Sequence, residues 1–361
     1  MSDGILKGNN DVFLTSLMII QYYLEKKMFK NKILVIKVLL ASLILFSAVQ
    51  TASALDTIRL VPWGPKLIDF IDLYVGDENG YFKEAGIKIE QMRGAGAGDA
   101  VRNVIAGNGD IAMADPLSAF FAIQAGAELE GFYCPYTKNW MTLMVNKTKG
   151  IKTPADLRGK TIAINSMGST TRYYLMVLLG RNGMTESDVT EVATGLDFAS
   201  PLLSGRADAA SAWESMNWGM LVAGGIPKDQ VSDYEVWPYS DIIPGPNDVY
   251  FAKPGWLKKN SGLVQRFVRA LEKSKRFVQA HPDEAAKIGQ KYAIGADSLV
   301  RNRAVIDMRI KMQNSGPGVV ENGMGWCDVD AISDLANDSL KNGILKKKMD
   351  VSKIISNKFL K

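Results

Sequence analysis

The sequence predicts an α/β protein of two similar lobes with a helical C-terminal tail. Three observations carry this. From residue 57 onward, short apolar runs alternate with helical patterns, which is how a largely parallel sheet reads. A helix–glycine–aspartate–small-strand unit occurs twice, first as Gly107-Asn108-Gly109-Asp110-Ile111-Ala112-Met113-Ala114-Asp115. It returns as Gly205-Arg206-Ala207-Asp208-Ala209-Ala210, running on to Ala212-Trp213-Glu214-Ser215. After Pro254 the chain is almost wholly helical, with an apolar stripe at Leu263, Phe267, Leu271 and Phe277. Two lobes built alike would face each other with the loops at the carboxyl ends of their strands, where open α/β sheets bind ligands.

The first 54 of the 361 residues stand apart from that pattern. Residues 26–32 are basic, 38–49 are an apolar run, and Ala52-Ser53-Ala54 supplies small residues for cleavage, so the segment reads as a secretory signal cut after Ala54. Lys37 shortens the run below the roughly 20 residues of a membrane span. Met28 makes a better start than Met1, which would leave residues 1–27 as an upstream extension. The destination is periplasmic. Removing six lysines and three acids with this segment takes the formal charge from +5 to +2, too mild for a nucleic-acid partner.

Cys134 and Cys327 are the two cysteines. They either pair across a long loop in an oxidising compartment or stay buried thiols, and since nothing local demands pairing the expectation is against a bridge. The one histidine, His281, precedes Pro282 at a helix start and reads as structural. No metal site and no cofactor are expected.

In order, residues 57–61 form a strand that ends at Pro62-Trp63-Gly64-Pro65, and Leu67, Ile68, Ile71 and Val75 recur at helical spacing. Residues 87–90 alternate as a second strand, and Gly94-Ala95-Gly96-Ala97-Gly98-Asp99 leads into a helix. That glycine run lets backbone approach a ligand but does not match a dinucleotide fingerprint. Residues 110–115 make a third strand, with Pro116 opening the next helix.

The second half is organised around residues 150–174. Thr153 caps a short helix with Pro154 at its first position, residues 161–164 are a core strand, and Asn165-Ser166-Met167-Gly168-Ser169-Thr170-Thr171 leads into a helix. A helix start offers free N–H groups and partial positive charge to a polar ligand, or Ser169 and Thr170 merely cap it. Residues 140–145 and 247–252 read as extended crossovers between the lobes, the second preceded by a Pro244-Gly245-Pro246 turn.

Several segments, taken jointly and in order, match a known family: 80–87 (Gly80-Tyr81-Phe82-Lys83-Glu84-Ala85-Gly86-Ile87), 106–112, 152–160, 205–209 with Trp213-Glu214, and 263–271. From residue 56 to about 293 the chain resembles the nitrate/sulfonate/taurine and thiamine-pyrimidine-precursor group of solute-binding proteins of ABC importers. The resemblance implies the type II periplasmic binding protein fold, two α/β lobes joined by two crossover strands with a helical C-terminal tail. Lobe one would be residues 55–139 with 246–361, and lobe two 140–245. It implies a small solute held at Trp63, Gly64, Ala95, Asp99 and Asp115 from one side. From the other come Ser166, Ser169, Thr170, Thr171, Trp213 and Glu214, with Asn247 and Asp248 at the return crossover. A monomer, served by an ABC permease and ATPase at the inner membrane, is the implied partnership.

An enzyme on the same fold, of the pyrimidine-precursor or quinone-biosynthesis type, is the alternative, as is a ligand-sensing protein, because fold does not fix function. The single histidine, the lack of a cysteine cluster and the secretion signal favour binding without turnover. Trp63 and Trp213, at strand ends, could stack on a flat or cationic ligand or belong to the core. Asp115 and Glu214 favour an amine or ring N–H while Arg172 pulls the other way. Together these point to a small nitrogen- or sulfur-containing organic solute, zwitterionic or heterocyclic, rather than nitrate or bicarbonate.

Overall fold

The computed structural model describes residues 15, 18–23, 25–27, 54–314 and 318–360. The chain divides into two units, Met1–Ala54 and Leu55–Lys361. In the first, the described residues between 15 and 27 are helical and exposed, and Ala54 is exposed. The secretory signal read at residues 28–53, and the choice between Met1 and Met28 as the start, lie outside the described residues. No helix among the described residues is long and apolar enough to cross a membrane.

The second unit holds two five-stranded sheets of matching design. The first contains β1 (Asp56–Val61), β2 (Ile87–Gln91), β3 (Ile111–Ala114), β4 (Glu130–Tyr133) and β10 (Val249–Ala252), in the order β2-β1-β3-β10-β4. The second contains β5 (Met141–Asn146), β6 (Thr161–Ile164), β7 (Thr190–Ala193), β8 (Ala209–Trp213) and β9 (Tyr234–Pro238), in the order β7-β6-β8-β5-β9. In each, three parallel strands meet one antiparallel strand and then an antiparallel edge. The central strands β3, β5, β8 and β10 are buried along their whole length, which explains why they read as apolar runs without alternation.

The repeated glycine–aspartate unit has one structural job in both sheets. Asp110, just before β3, accepts from the Arg59 backbone N–H at 2.8 Å, and Asp208, just before β8, accepts from the Thr161 N–H at 2.9 Å. Each carboxylate thus ties the start of the third parallel strand to its neighbour.

The chain passes between sheets through residues 134–140 and 239–248. The strand that follows each passage, β5 or β10, enters the new sheet as its antiparallel member. The two passages run side by side, joined by Asn139 Nδ2 donating to the Ile243 carbonyl (2.9 Å) and the Trp140 N–H donating to Asn247 Oδ1 (3.3 Å).

Helices cover the sheets: α1 (Ile71–Glu78), α2 (Tyr81–Glu84), α3 (Ala97–Ala106) and α4 (Pro116–Gln124) precede the first passage. Helices α5 (Thr170–Arg181), α6 (Ala199–Leu203) and α7 (Glu214–Leu221) belong to the segment between the passages. The tail then contributes α8 (Pro254–Lys259), α9 (Ser261–Ala280), α10 (Pro282–Tyr292), α11 (Leu299–Asn314), α12 (Val319–Asn322) and α13 (Val329–Lys341). The α9 stripe buries Phe267 against Phe82 and Tyr250, with ring centroids 6.0 Å from each.

The tail also corrects one expectation, because Cys134 and Cys327 are bonded, with Cα atoms 5.1 Å apart. The cause is not local. Residue 134 follows edge strand β4, and its N–H donates to the Gly325 carbonyl at 2.9 Å, so backbone pairing brings the two thiols together. Gly131 pairs likewise with Ile355, and the tail covers a sheet edge that would otherwise present open hydrogen-bonding groups.

Candidate ligand-binding cleft

The loops at the carboxyl ends of β1, β6 and β8 converge between the two sheets on a narrow cleft. Trp63 follows β1, Trp213 ends β8, and Trp140 closes the first passage. Their rings form an aromatic cluster, Trp63 lying 5.4 Å from Trp213 edge-on and 6.1 Å from Trp140, with Trp140 6.4 Å from Trp213. Phe70, Tyr136 and Phe198 pack behind them. The Trp63 indole N–H donates to Asp248 Oδ2 at 3.1 Å. The indole N–H groups of Trp140 and Trp213 are buried with no protein acceptor.

Opposite the indoles stands the start of α5. Ser169 does not cap it. Its hydroxyl donates to the Ser166 carbonyl (2.6 Å), meets Thr171 Oγ1 (2.7 Å) and accepts from the Ser166 N–H (3.2 Å), which shapes the turn rather than the helix. Among the described residues the Thr170 and Thr171 N–H groups find no acceptor, and both residues line the cleft. Of the two readings of this turn, the uncapped helix start is the one present, and it offers donors and partial positive charge to a ligand.

The glycine run lets the sheets approach this closely. Gly96 has φ +120°, and a side chain on Gly98 would put its Cβ 2.9 Å from the Gly168 carbonyl. The Gly98 N–H instead donates to that carbonyl at 3.0 Å, a direct link between the two loops.

Among the described residues Asp248 is the one charged residue lining the cleft, and it is buried. Burial pushes its carboxyl well above the usual range and the nearby Asp115 adds to this, against the Trp63 hydrogen bond that pulls it down. A carboxyl so placed either stays protonated or takes a positive partner, so it matches a ligand amine or ring N–H.

The residues expected at the site fall into three groups. Trp63, Ser169, Thr170, Thr171, Trp213, Asn247 and Asp248 line the cleft. Gly64, Ala95 and Ser166 instead line an adjoining outer groove. Asp99, Asp115 and Glu214 line neither. Asp99 sits in the first turn of α3, 3.3 Å from Arg102. Asp115 is fully buried as the N-cap of α4, accepting from the Ser118 N–H (3.0 Å) and hydroxyl (2.5 Å) and from the Thr170 hydroxyl (3.0 Å). It backs the cleft through Thr170, because the cap geometry turns its carboxyl along its own helix. Glu214 opens α7 half-buried, its carboxyl raised by burial against the pull of Lys311 and Lys138. Arg172, which pulled the sequence reading toward an anion, is engaged by Glu186 and Glu191.

Gly96 and Ala97, in the glycine run expected to approach a ligand, also line the cleft, as do Trp140, Met141 and Asn165, which were not expected there. Trp140 had a signal, as a tryptophan opening a crossover, but reads equally as the first residue of a buried strand.

Residues 68–285 match the family model described as NMT1/THI5 like. The chain belongs to the NMT1/THI5-like family. Among its relatives, the formylaminopyrimidine-binding protein of Halalkalibacterium halodurans is 24% identical over 262 residues, 70% of this chain and 77% of that one. A 4-amino-5-hydroxymethyl-2-methylpyrimidine phosphate synthase of Aspergillus parasiticus is 26% identical over 229 residues, 59% of this chain, and the match spans only 64% of the synthase. Among solved structures, the alkanesulfonate-binding protein SsuA of Xanthomonas axonopodis bound to MOPS superposes with a TM-score of 0.61 at 16% identity, covering 83% of this chain and 98% of that one. The nitrate-binding protein NrtA of Synechocystis gives 0.62 at 14%, covering 84% and 87%. These superpositions show that this NMT1/THI5-like chain has the periplasmic binding protein fold.

Proposed function

We propose that the protein is the extracytoplasmic solute-binding component of an ABC importer, capturing a flat nitrogen-containing organic solute between its two halves. The observation that carries this reading is the cleft itself. Three indoles and one buried carboxyl, Asp248, which Trp63 contacts, line it together with the uncapped start of α5. Rings supply stacking surface, the carboxyl a partner for an amine or ring N–H, and the free Thr170 and Thr171 N–H groups partners for ring nitrogens or carbonyls. Residues 55–139 with 246–361 would form one moving body and 140–245 the other, closing about the paired passages. The site needs neither cofactor nor metal for this task, and its partners are a permease and an ATPase. The secretory signal and the Cys134–Cys327 bond both fit an oxidising, extracytoplasmic compartment.

Native mass spectrometry of protein purified from its own host tests the proposal. A flat, nitrogen-containing small molecule, released unchanged after prolonged incubation, is the expected result. The kinship to pyrimidine synthases sustains a second reading, an enzyme. Against it, the one histidine precedes α10, packs tilted against Phe277 with ring centroids 4.8 Å apart and lines neither cavity. Chemical conversion of the bound molecule, abolished by Asp248→Asn, would favour the enzyme.

A further inference from the structure

Inner cleft and outer groove share Trp63, Gly96 and Asn165, so they form one continuous depression from the indole cluster to the surface. Each has one charged lining residue, and the two are of opposite sign: Asp248 inside, Arg93 outside. Arg93 is exposed and makes no hydrogen bond or ion pair among the described residues, whereas Arg59, Arg102 and Arg172 are each held by a carboxylate. Among the described residues no carboxylate lines the outer groove to neutralise it. Beside it, the Ser166 hydroxyl has no hydrogen-bond partner either, since the turn is held by the Ser166 backbone and the Ser169 side chain. An unpaired guanidinium and a free hydroxyl on the wall of a groove that continues a ring-binding cleft match the donors needed for an oxyanion.

We propose that the solute is dipolar: a flat ring whose amine or ring N–H faces Asp248, bearing an arm that ends in an oxyanion held by Arg93 and Ser166. This rests on the reading of the cleft as a solute site and adds the ligand's polarity and length to it. A small inorganic anion, or a ring with no arm, would leave Arg93 unused.

Three matched pairs of flat amines, alike except for the arm, provide the test. They are pyridoxamine with pyridoxamine 5′-phosphate, thiamine with thiamine monophosphate, and 4-aminobenzyl alcohol with 4-aminophenylacetate. Titration followed by tryptophan fluorescence gives a Kd for each member on the full-length processed protein. In at least one pair the anionic member should bind about tenfold more tightly at low salt, with the advantage shrinking as salt screens it. Arg93→Gln should bring the ratio of Kd values within that pair close to one, and Arg93→Lys should restore part of it. Equal binding within all pairs, or an advantage that survives Arg93→Gln, overturns the dipolar ligand while leaving the solute site standing. Failure of every compound to bind overturns both.

Discussion

The two sheets share a topology, an aspartate that ties two strands, and a cleft-facing loop after β1 and β6, yet the starts of α4 and α5 differ. In the first half, α4 is capped by its own Asp115, whose carboxyl also receives Ser118 and Thr170. In the second half, α5 has no side-chain cap, and its first N–H groups face the cleft. The indoles repeat the contrast: Trp63 spends its N–H on Asp248, while the Trp213 N–H has no partner. Repeating a topology therefore does not repeat a chemistry. At this pair of helix starts and indoles the first half is the satisfied, scaffold side, and the second half is the side left with donors open toward the cleft.

Trp213→Ala breaks this contrast most severely. The side chain is 4% exposed and packs on Trp63, Trp140 and Phe198, so its loss should cost roughly 3–5 kcal/mol of stability as well as ligand affinity. A tryptophan read only as pocket would have left the empty protein intact. Melting curves with and without ligand separate the effects, and an unaltered empty melt would place Trp213 outside the core.

Reduction of Cys134–Cys327 should come next, at about 2–4 kcal/mol. The bond ties β4 to the tail, so amide exchange should rise at β4 and near Gly325 before it rises in the second sheet. Equal rises in both sheets would show that the halves do not open independently.

Thr170→Val removes the hydrogen bond from α5 to Asp115 across the cleft. Burial raises the Asp115 carboxyl and the hydrogen bonds from Ser118 and Thr170 offset this, so losing one should cost roughly 1–3 kcal/mol. The open half should loosen more than the scaffold half, with exchange rising at residues 166–171. The reverse pattern would undo the assignment of roles.

The smallest effect is a pH slope. Asp248 has a folded carboxyl raised well above its unfolded value, so between the two the folded protein holds a proton that the unfolded chain has released. Stability should therefore fall as pH rises from the ordinary carboxylate range through the raised value, and acidification into that range should relieve the penalty. Asp248→Asn should flatten that part of the profile, as read by denaturant midpoints against pH. Binding of a cationic amine should run the other way, tightening as pH rises and Asp248 ionises.

Alternation of strands and helices, the twofold glycine–aspartate unit and the helical tail follow from local pattern, so the α/β architecture was legible in the sequence alone. So were Trp63, Trp213 and the Ser166–Thr171 turn, because indoles and hydroxyls at strand ends and helix starts are marked by residue type. Side-chain direction was not. Whether Asp115 points into the cleft or caps α4, and whether Arg172 or Arg93 is the unpaired cation, depends on partners 3 to 55 residues away in sequence. Tertiary structure alone decided the disulfide, because Cys134 and Cys327 lie 193 residues apart and meet only through pairing of the tail with β4. Local propensity selects elements within a few residues, whereas hydrogen-bond satisfaction is settled among groups that only the folded chain brings together.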